Sequence, residues 1–173
     1  KDQWLFYAGA NILDNYRGLK YYSPLELRAW KDSYVKKRDW LEKRGIVYLV
    51  VIVPEKSTIY PEHLPSDFTK VNLSTTDQLV HYLQKKQSYS NILNLRESLL
   101  DAKKKFQPYF RTDTHWNNMG AFDGYHSILN KLNQLHPNLV LKPFDSSRFK
   151  LGYKSNHAGD LSYMIGAQNF INE

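Results

Sequence analysis

The chain has 173 residues, of which 42% are hydrophobic and 24% are charged, enough apolar material to bury the core of one domain or a large part of one. These proportions exclude a disordered or fibrous protein. The absence of cysteine excludes disulfide frameworks, thiolate metal sites and cysteine nucleophiles. The net charge of +7 favours anionic partners. However, the basic runs at 36–38 and 103–105 fall in predicted helices without a nucleic-acid-binding motif, so we expect no nucleic-acid partner.

The first forty residues predict one short strand and one long helix. Residues 4–8 form an apolar run typical of a strand, and residues 11–22 have the character of a loop. Ser23 and Glu26 are spaced as a capping box around a proline at the first helical position. We therefore expect a helix from this point to about Arg44, followed by a glycine that caps its end.

The most apolar run of the chain, residues 46–53, is continuous and rich in β-branched side chains. This pattern is typical of a strand that is buried on both faces of a parallel sheet. Residues 55–70 contain two prolines and lack a helical period, so they predict a long loop at the carboxyl end of that strand. Ligands bind at this edge of open α/β sheets.

The remaining pattern alternates helices with short extended segments. Helices are predicted at 76–86, 97–105 and 118–135, a strand at 92–95, and an extended run at 109–111. Alternation of this kind predicts a three-layer α/β fold with a mainly parallel sheet, and we expect residues 1–173 to belong to a single domain.

Asp113 and His115 are the first candidates for chemistry, because residues two apart in an extended segment point to the same side. A carboxylate in this position can accept the imidazole N–H and leave the other ring nitrogen free to act as a base. The alternative is that Asp113 caps the following helix and His115 packs. A metal site that adds Asp123 or His126 has no recognised ligand spacing, and we predict none.

Four further residues are candidates for substrate binding. Lys56 and Tyr60 lie on the predicted long loop, where they could contact a glycan hydroxyl or carboxylate; the alternatives are surface solvation and core packing. Trp116 is a candidate wall of an acetyl or sugar site, or a core residue. Asn117 is a candidate hydrogen-bond partner of the substrate, or the cap of the next helix.

Read together, four sequence blocks resemble a known family. They are KDQWLFY at 1–7, VPEKSTIYPEHLP at 53–65, DTHWN at 113–117 followed by GA at 120–121, and GDL at 159–161. In this order they are similar to the motifs of the alginate O-acetyltransferase group of the SGNH hydrolase-like superfamily. The resemblance implies an SGNH/flavodoxin-like fold. It also implies that Asp113 and His115 are two members of a catalytic triad whose serine follows later.

The end of the chain departs from this family pattern. Twelve residues follow the GDL block, and none of them belongs to a Gly-x-Ser segment that would present a nucleophile. Ser162 imitates a Gly-Asp-Ser signature, but the resemblance aligns it with the earlier GDL block. The prediction is therefore a domain that is incomplete at its C terminus, with the serine beyond Glu173.

The resemblance also implies a reaction and its setting. It implies transfer of an acetyl group through an acyl-enzyme to a hydroxyl of a cell-surface or exported polysaccharide, without a metal or organic cofactor. A membrane-bound acetyl-donor protein would be the partner. The location would be extracytoplasmic, with an anchor in a removed N-terminal segment as one arrangement, and we expect a monomer. The alternatives are a carbohydrate esterase of the same fold and a noncatalytic glycan-binding module.

Overall fold

The computed structural model describes residues 3–86, 90–148, 152, 158–171 and 173. None of its helices is both long and apolar enough to cross a bilayer over this described part of the chain. In chain order the elements are α1 (Ile12–Arg17), α2 (Pro24–Glu42), β1 (Val50–Ile52), α3 (Lys56–Ile59), α4 (Thr75–Lys85), β2 (Ile92–Asn94), α5 (Arg96–Lys103), α6 (Asn118–Leu135) and α7 (Asp160–Met164), with 3-10 helices at Pro61–His63, Ser66–Phe68 and Ser146–Arg148.

The chain divides into two compact units, each assembled from separate segments. The first unit comprises Lys1–Tyr7, Val53–Pro65 and Asn94–Glu173, and the second comprises Ala8–Ile52 and Ser66–Leu93. The sheet is parallel and pairs β1 with β2. Helices combined with a parallel sheet confirm the predicted α/β class.

Both long helices of the second unit begin with a capping box. Ser23 accepts the Glu26 amide at 3.2 Å, while the Glu26 carboxylate accepts the Ser23 amide at 2.7 Å. Ser74 and Asp77 make the same reciprocal pair at the start of α4. The predicted helices at 24–44 and 76–86 are confirmed, each ending one or two residues earlier than expected.

The core of the second unit lies between these helices and the sheet. Tyr34 from α2, Leu79 and Leu83 from α4, and Ile92 from β2 are all buried. Partly buried side chains surround them: Leu27, Trp30, Val35, Tyr48, Val50, Ile52 and Tyr82. Two helices are thus attached to the sheet through one apolar cluster.

Two predictions for the second unit were wrong. The expected loop at 11–22 contains α1, which lies between Asn11 and Gly18, both with positive φ. The expected strand at 46–53 is paired only at Val50–Ile52 and is partly buried, with Ile46 and Val53 exposed. Within the described residues β1 has a single neighbour, β2, so the strand is not enclosed as a central strand would be.

The first unit is organised around α5, which packs against α6 and α3. Its most buried side chains include Ile59, Leu95 and Leu99. The predicted helix at 118–135 is confirmed at both ends, and the one predicted at 97–105 is observed as Arg96–Lys103.

Two segments of the first unit differ from prediction. Residues 4–7 are irregular rather than a strand, and only the amide of Leu5 donates to the carbonyl of Arg111, at 3.0 Å. The loop expected from residue 55 begins with α3 and a 3-10 helix. These turns are too short to produce a detectable apolar period, which explains why periodicity missed them.

Candidate active site

Asp113 and His115 are hydrogen-bonded to each other, as their spacing predicted. Nδ1 of His115 lies 2.7 Å from Oδ1 of Asp113, and the His115 amide donates to the same oxygen at 2.9 Å. The His115 side chain is 75% exposed, whereas that of Asp113 is only 15% exposed. A held carboxylate therefore orients an accessible imidazole, the arrangement required of a general base and its orienting group.

The neighbours of Nδ1 indicate which ring nitrogen of His115 carries the hydrogen. The Thr114 hydroxyl lies 2.5 Å from Oδ2 of Asp160 and 3.1 Å from Nδ1 of His115. A hydroxyl has one hydrogen, and Thr114 donates it to Asp160, so Thr114 does not donate to His115. The carboxylate of Asp113, 2.7 Å from Nδ1, can only accept. The proton then resides on Nδ1, and Nε2 has a free lone pair.

The carboxylate of Asp113 is held in its ionised form. Partial burial alone would raise its pKa, but hydrogen bonds from the amides of His115 and Asp160, together with the imidazole, lower the pKa below its ordinary value. The negative charge that orients His115 is therefore present throughout the neutral range.

The backbone next to Asp113 is enclosed by the GDL block. Thr112 is fully buried; its hydroxyl accepts the Gly159 amide at 2.9 Å, and its carbonyl accepts the Leu161 amide at 3.0 Å. A Cβ at Gly159 would lie 2.4 Å from the carbonyl carbon and oxygen of Thr112, so a larger residue would displace this loop. The close approach explains why glycine begins the block.

Asp160, the second residue of that block, connects it to the Asp–His pair. Its carboxylate accepts the Thr114 amide at 2.7 Å, while its own amide donates to Oδ2 of Asp113 at 3.1 Å. Its carboxylate oxygen lies 3.9 Å from Nδ1 of His115. Two carboxylates therefore flank the same ring nitrogen.

Lys56 lies beneath this loop and is only 4% exposed. Its ammonium group donates to the carbonyls of Phe110 at 3.3 Å, Arg111 at 3.1 Å and Asp113 at 2.6 Å. An ammonium has three hydrogens, and all three are used here. The predicted contact between Lys56 and a glycan would require an exposed donor, so we do not include it in the function proposed below.

Tyr60, another predicted substrate-binding residue, is also buried. It is 4% exposed, and its ring lies 4.2 Å from the ring of Trp4 and 4.4 Å from the ammonium of Lys103. Burial raises the pKa of its hydroxyl. This environment corresponds to core packing, the alternative that the sequence left open.

Trp116 and Asn117 directly precede α6, and Asn117 is the N-cap residue of this helix. Asn117 accepts the amides of Met119 and Gly120, each at 3.0 Å, and its side-chain amide donates to Gln107. The oxygen of this side chain therefore caps α6, and its nitrogen is bonded to the loop before the helix. Trp116 is partly buried, and its ring faces Gly124 so closely that a Cβ there would approach to 2.8 Å. Contact with a substrate stays a prediction for both residues.

Ser162 does not have the environment of a nucleophile. It is fully buried, and its hydroxyl donates to the carbonyl of Gly159 at 2.6 Å. Ser162 therefore stabilises the first turn of α7, and its likeness to a Gly-Asp-Ser signature is limited to the sequence. Within the described residues, the ring nitrogens of His115 have no serine among their hydrogen-bond partners.

Asp113, His115 and Asp160 also lie close enough together to be considered as metal ligands. Each of the four carboxylate oxygens, however, already accepts a hydrogen bond. The Nδ1 proton is directed at Asp113, whereas a metal ligand would have to lose it. The geometry favours a hydrogen-bonded network over a cation site.

The fold and this loop define the class of protein: an SGNH hydrolase-like α/β domain with a carboxylate-oriented histidine. The chain belongs to the family described as SGNH hydrolase-like domain, acetyltransferase AlgX, whose model matches residues 1–173. It is 37% identical to a probable alginate O-acetylase AlgJ of Pseudomonas syringae over 84 residues, which are 49% of this chain and 21% of that protein. The corresponding protein of Pseudomonas aeruginosa is 27% identical over 123 residues, 70% of this chain and 30% of that protein.

Solved structures share the fold. The O-acetyltransferase domain of Pseudomonas putida AlgJ has a TM-score of 0.56 and 21% identity, over 94% of this chain and 55% of that chain. Bacillus cereus PatB1 with a sulfonyl adduct has a TM-score of 0.62 and 21% identity, over 90% of this chain and 51% of that chain. The chain thus spans about half the length of these structures and less than a third of the curated relatives.

The sequence did not assign a role to three residues that build this loop. Thr112, Asp160 and Glu173 make hydrogen bonds that hold or flank Asp113. For Asp160 there was a signal, since it lies in the GDL block. For Glu173 there was none, because its partners Arg111 and Thr112 lie 62 and 61 residues away.

Proposed function

We propose that this chain is the larger part of a catalytic domain that transfers acetyl groups to hydroxyls of an exported or cell-surface polysaccharide. The observation that carries the proposal is the 2.7 Å contact between His115 and Asp113, with the imidazole accessible. Membership of an acetyltransferase family and the names of relatives as alginate O-acetylases support the choice of reaction.

In the proposed reaction, Nε2 of His115 removes the hydroxyl proton of a serine, and the serine oxygen attacks the acetyl carbonyl of the donor. The donor's leaving group then takes the proton from His115, which produces an acetyl-serine. In the second half, Nε2 deprotonates a sugar hydroxyl, which attacks the acetyl-serine and releases the serine with that proton. Asp113 stabilises the imidazolium in both halves.

The nucleophile in this proposal lies beyond Glu173. The chain covers 55% of the AlgJ domain and 51% of the PatB1 chain, so nearly half of each of those chains lies outside the match. The domain would then be complete only with that downstream segment.

The setting is part of the proposal. An acceptor outside the cytoplasm needs acetyl groups delivered across a membrane, so the donor would be a membrane-bound protein. The net charge of +7 supports an anionic polysaccharide as acceptor. We expect no metal or organic cofactor, because His115, Asp113 and a serine supply all proton transfers. We also expect the protein to act as a monomer.

A carbohydrate esterase is the second candidate, and one observation favours it. The His115 side chain is 75% exposed, so water can reach the position from which it would attack an acyl-enzyme. Transfer requires that water be excluded while the acyl-enzyme persists.

The test is release of p-nitrophenol from p-nitrophenyl acetate by this chain and by a longer form that continues past Glu173. We expect activity only in the longer form, and a loss of about 1,000-fold or more with His115→Ala. The matched control is His81→Ala, an exposed histidine on α4. Mass spectrometry of an added oligosaccharide then separates acetyl transfer from hydrolysis.

Two results would contradict the proposal. Equal activity in the His115→Ala variant would remove His115 from the mechanism. An inert longer form that nevertheless binds the polysaccharide would favour a noncatalytic glycan-binding module.

A further inference from the structure

Two charges of opposite sign, one buried and one partly buried, hold the backbone that carries Asp113. The ammonium of Lys56 is within 3.3 Å of the carbonyl oxygens of Phe110, Arg111 and Asp113. Three carbonyl dipoles that converge on one point repel one another unless a cation lies between them. Lys56 is that cation, so it stabilises a turn that the backbone would otherwise avoid.

Glu173 holds the other polar groups of the same segment. Its carboxylate accepts the Arg111 amide at 2.7 Å, and the amide and hydroxyl of Thr112, each at 2.6 Å. Its side chain is only 13% exposed. Hydrogen bonds to a carboxylate in such a position are short and strong, and they fix the direction of each donor.

The two charges therefore bind opposite ends of consecutive peptide groups. Lys56 binds the carbonyls of the Phe110–Arg111 and Arg111–Thr112 peptide groups, and Glu173 binds the amides of the same two groups. Lys56 also binds the carbonyl of Asp113, so the two charges hold the backbone on either side of the peptide plane that leads into Asp113. Because His115 takes its orientation from Asp113, a small rotation of this plane would move the imidazole relative to its substrate.

We propose that Lys56 and Glu173 are positioning residues for the Asp113–His115 pair, acting through the backbone of residues 110–113. This inference rests on the proposed function. It replaces substrate contact as the role of Lys56, because the ammonium has no hydrogen left for a ligand. Positioning residues affect the rate of the chemical step, whereas a substrate contact affects binding.

The protonation state of Lys56 gives this role a signature. Burial lowers the pKa of Lys56 to about 8, against the opposing charges of Glu173, Asp113 and Asp160. The guanidinium of Arg111 also faces Glu173, at 3.9 Å. A neutral amine has two hydrogens and cannot bind all three carbonyls, so positioning should weaken as the pH rises through about 8.

The effect on folding stability has the opposite sign. In the unfolded chain Lys56 keeps its ordinary pKa of 10.5, so between about pH 8 and 10.5 the unfolded state binds the extra proton. Stability from this group therefore rises with pH across that window and is lost as the pH falls through about 8. A fall in activity above pH 8 would consequently not be explained by unfolding through Lys56.

The experiment measures kcat and KM for p-nitrophenyl acetate from pH 6 to 10 in the longer form of the protein. We expect Lys56→Met to lower kcat by about 10- to 100-fold with little change in KM. Lys56→Arg stays protonated, so its alkaline loss of activity should move above pH 10. Lys37→Met is the matched control, since Lys37 is exposed on α2.

Glu173→Gln provides a second variant that keeps the size of the side chain. Removing this negative charge removes the largest influence that raises the pKa of Lys56, so the alkaline loss should begin at lower pH. A purely structural role would not move the pH profile in opposite directions for Glu173→Gln and Lys56→Arg. These two profiles test the inference even if Lys56→Met does not fold.

The inference is overturned if neither variant shifts the alkaline limb, or if Lys56→Met raises KM and leaves kcat unchanged. Failure of the proposed function is a different result: every form, native included, would be inert. Amide hydrogen exchange in this chain then decides the positioning role without activity. We expect the amides of His115 and Asp160, which donate to Asp113, to exchange about 10-fold faster in Lys56→Met, with those of α6 unchanged.

Discussion

Leu83 in the second unit and Thr112 in the first are both fully buried, but their surroundings are opposite in character. Leu83 belongs to a cluster of aliphatic and aromatic side chains from α2, α4 and the sheet. Thr112 is surrounded by hydrogen bonds to Glu173, Gly159 and Leu161. Each site is packed, but the Leu83 side chain makes only apolar contacts, whereas the Thr112 side chain is held by hydrogen bonds.

This difference separates stability from positioning. Apolar burial is non-directional and scales with the area removed from water, so it holds helices on a sheet without fixing individual atoms. Hydrogen bonds weaken steeply when distance or angle changes, so a network of them fixes atoms to a fraction of an ångström. A general base such as His115 needs that second kind of support.

The largest effect on stability is expected from the apolar cluster. Leu83→Ala leaves a cavity among side chains of α2 and α4, and we expect the free energy of unfolding to fall by about 3 kcal/mol. Below the melting temperature, kcat on p-nitrophenyl acetate should stay within about twofold of the native value. Urea denaturation followed by circular dichroism measures the first quantity, and the rate assay measures the second.

Leu73→Ala is the control for this prediction, because Leu73 is 53% exposed and its truncation should change the free energy of unfolding by less than about 0.5 kcal/mol. A large loss of kcat in folded Leu83→Ala would show that the apolar cluster also positions the active site. The comparison between the two regions would then fail.

Local signals explain what could be predicted from the sequence. The capping box of Ser23 and Glu26 and the start of α6 at Asn118 depend on residues within one turn of each other, so the pattern and the structure coincide. The hydrogen bond between Asp113 and His115 is local in the same sense, since the two residues are two positions apart, although residues 111–115 form bends and not the expected extended segment.

Long-range partners explain what could not be predicted. Lys56 donates to carbonyls of residues that lie 54 to 57 positions later in the sequence. Nothing near Lys56 in the sequence distinguishes it from a solvated lysine. The short helix α3, which carries it, has no apolar period. Tertiary contacts therefore determined both the helix and the role of its lysine.

The polar network is expected to respond differently from the apolar cluster. Thr112→Val keeps the shape of the side chain but removes the hydroxyl that donates to Glu173 and accepts from Gly159. We expect the free energy of unfolding to fall by about 2 kcal/mol, because two buried polar groups lose a partner. The value of kcat should fall by about 10-fold, because the loop next to Asp113 is released.

Thr112→Ser is the control, since it retains the hydroxyl and should keep kcat within about threefold. Rescue by serine would attribute the loss to hydrogen bonds rather than to shape. If Thr112→Val were as active as the native protein, the network around Thr112 would be a stability device like the apolar cluster, and its relation to His115 would have to be abandoned.

The smallest effect is expected from the first turn of α2, where a hydrogen-bonded network is distant in the sequence from any candidate catalytic residue. Ser23→Ala removes the acceptor of the Glu26 amide, and we expect the free energy of unfolding to fall by about 1 kcal/mol. Ser33→Ala, at an exposed position inside the same helix, should be neutral or slightly stabilising, because alanine is the better helix former.

An unchanged kcat in Ser23→Ala would show that directional hydrogen bonds affect the reaction only where they hold the segment that bears Asp113. A loss of kcat as large as that of Thr112→Val would mean that any polar defect in this chain reaches the active site, and location would then explain nothing.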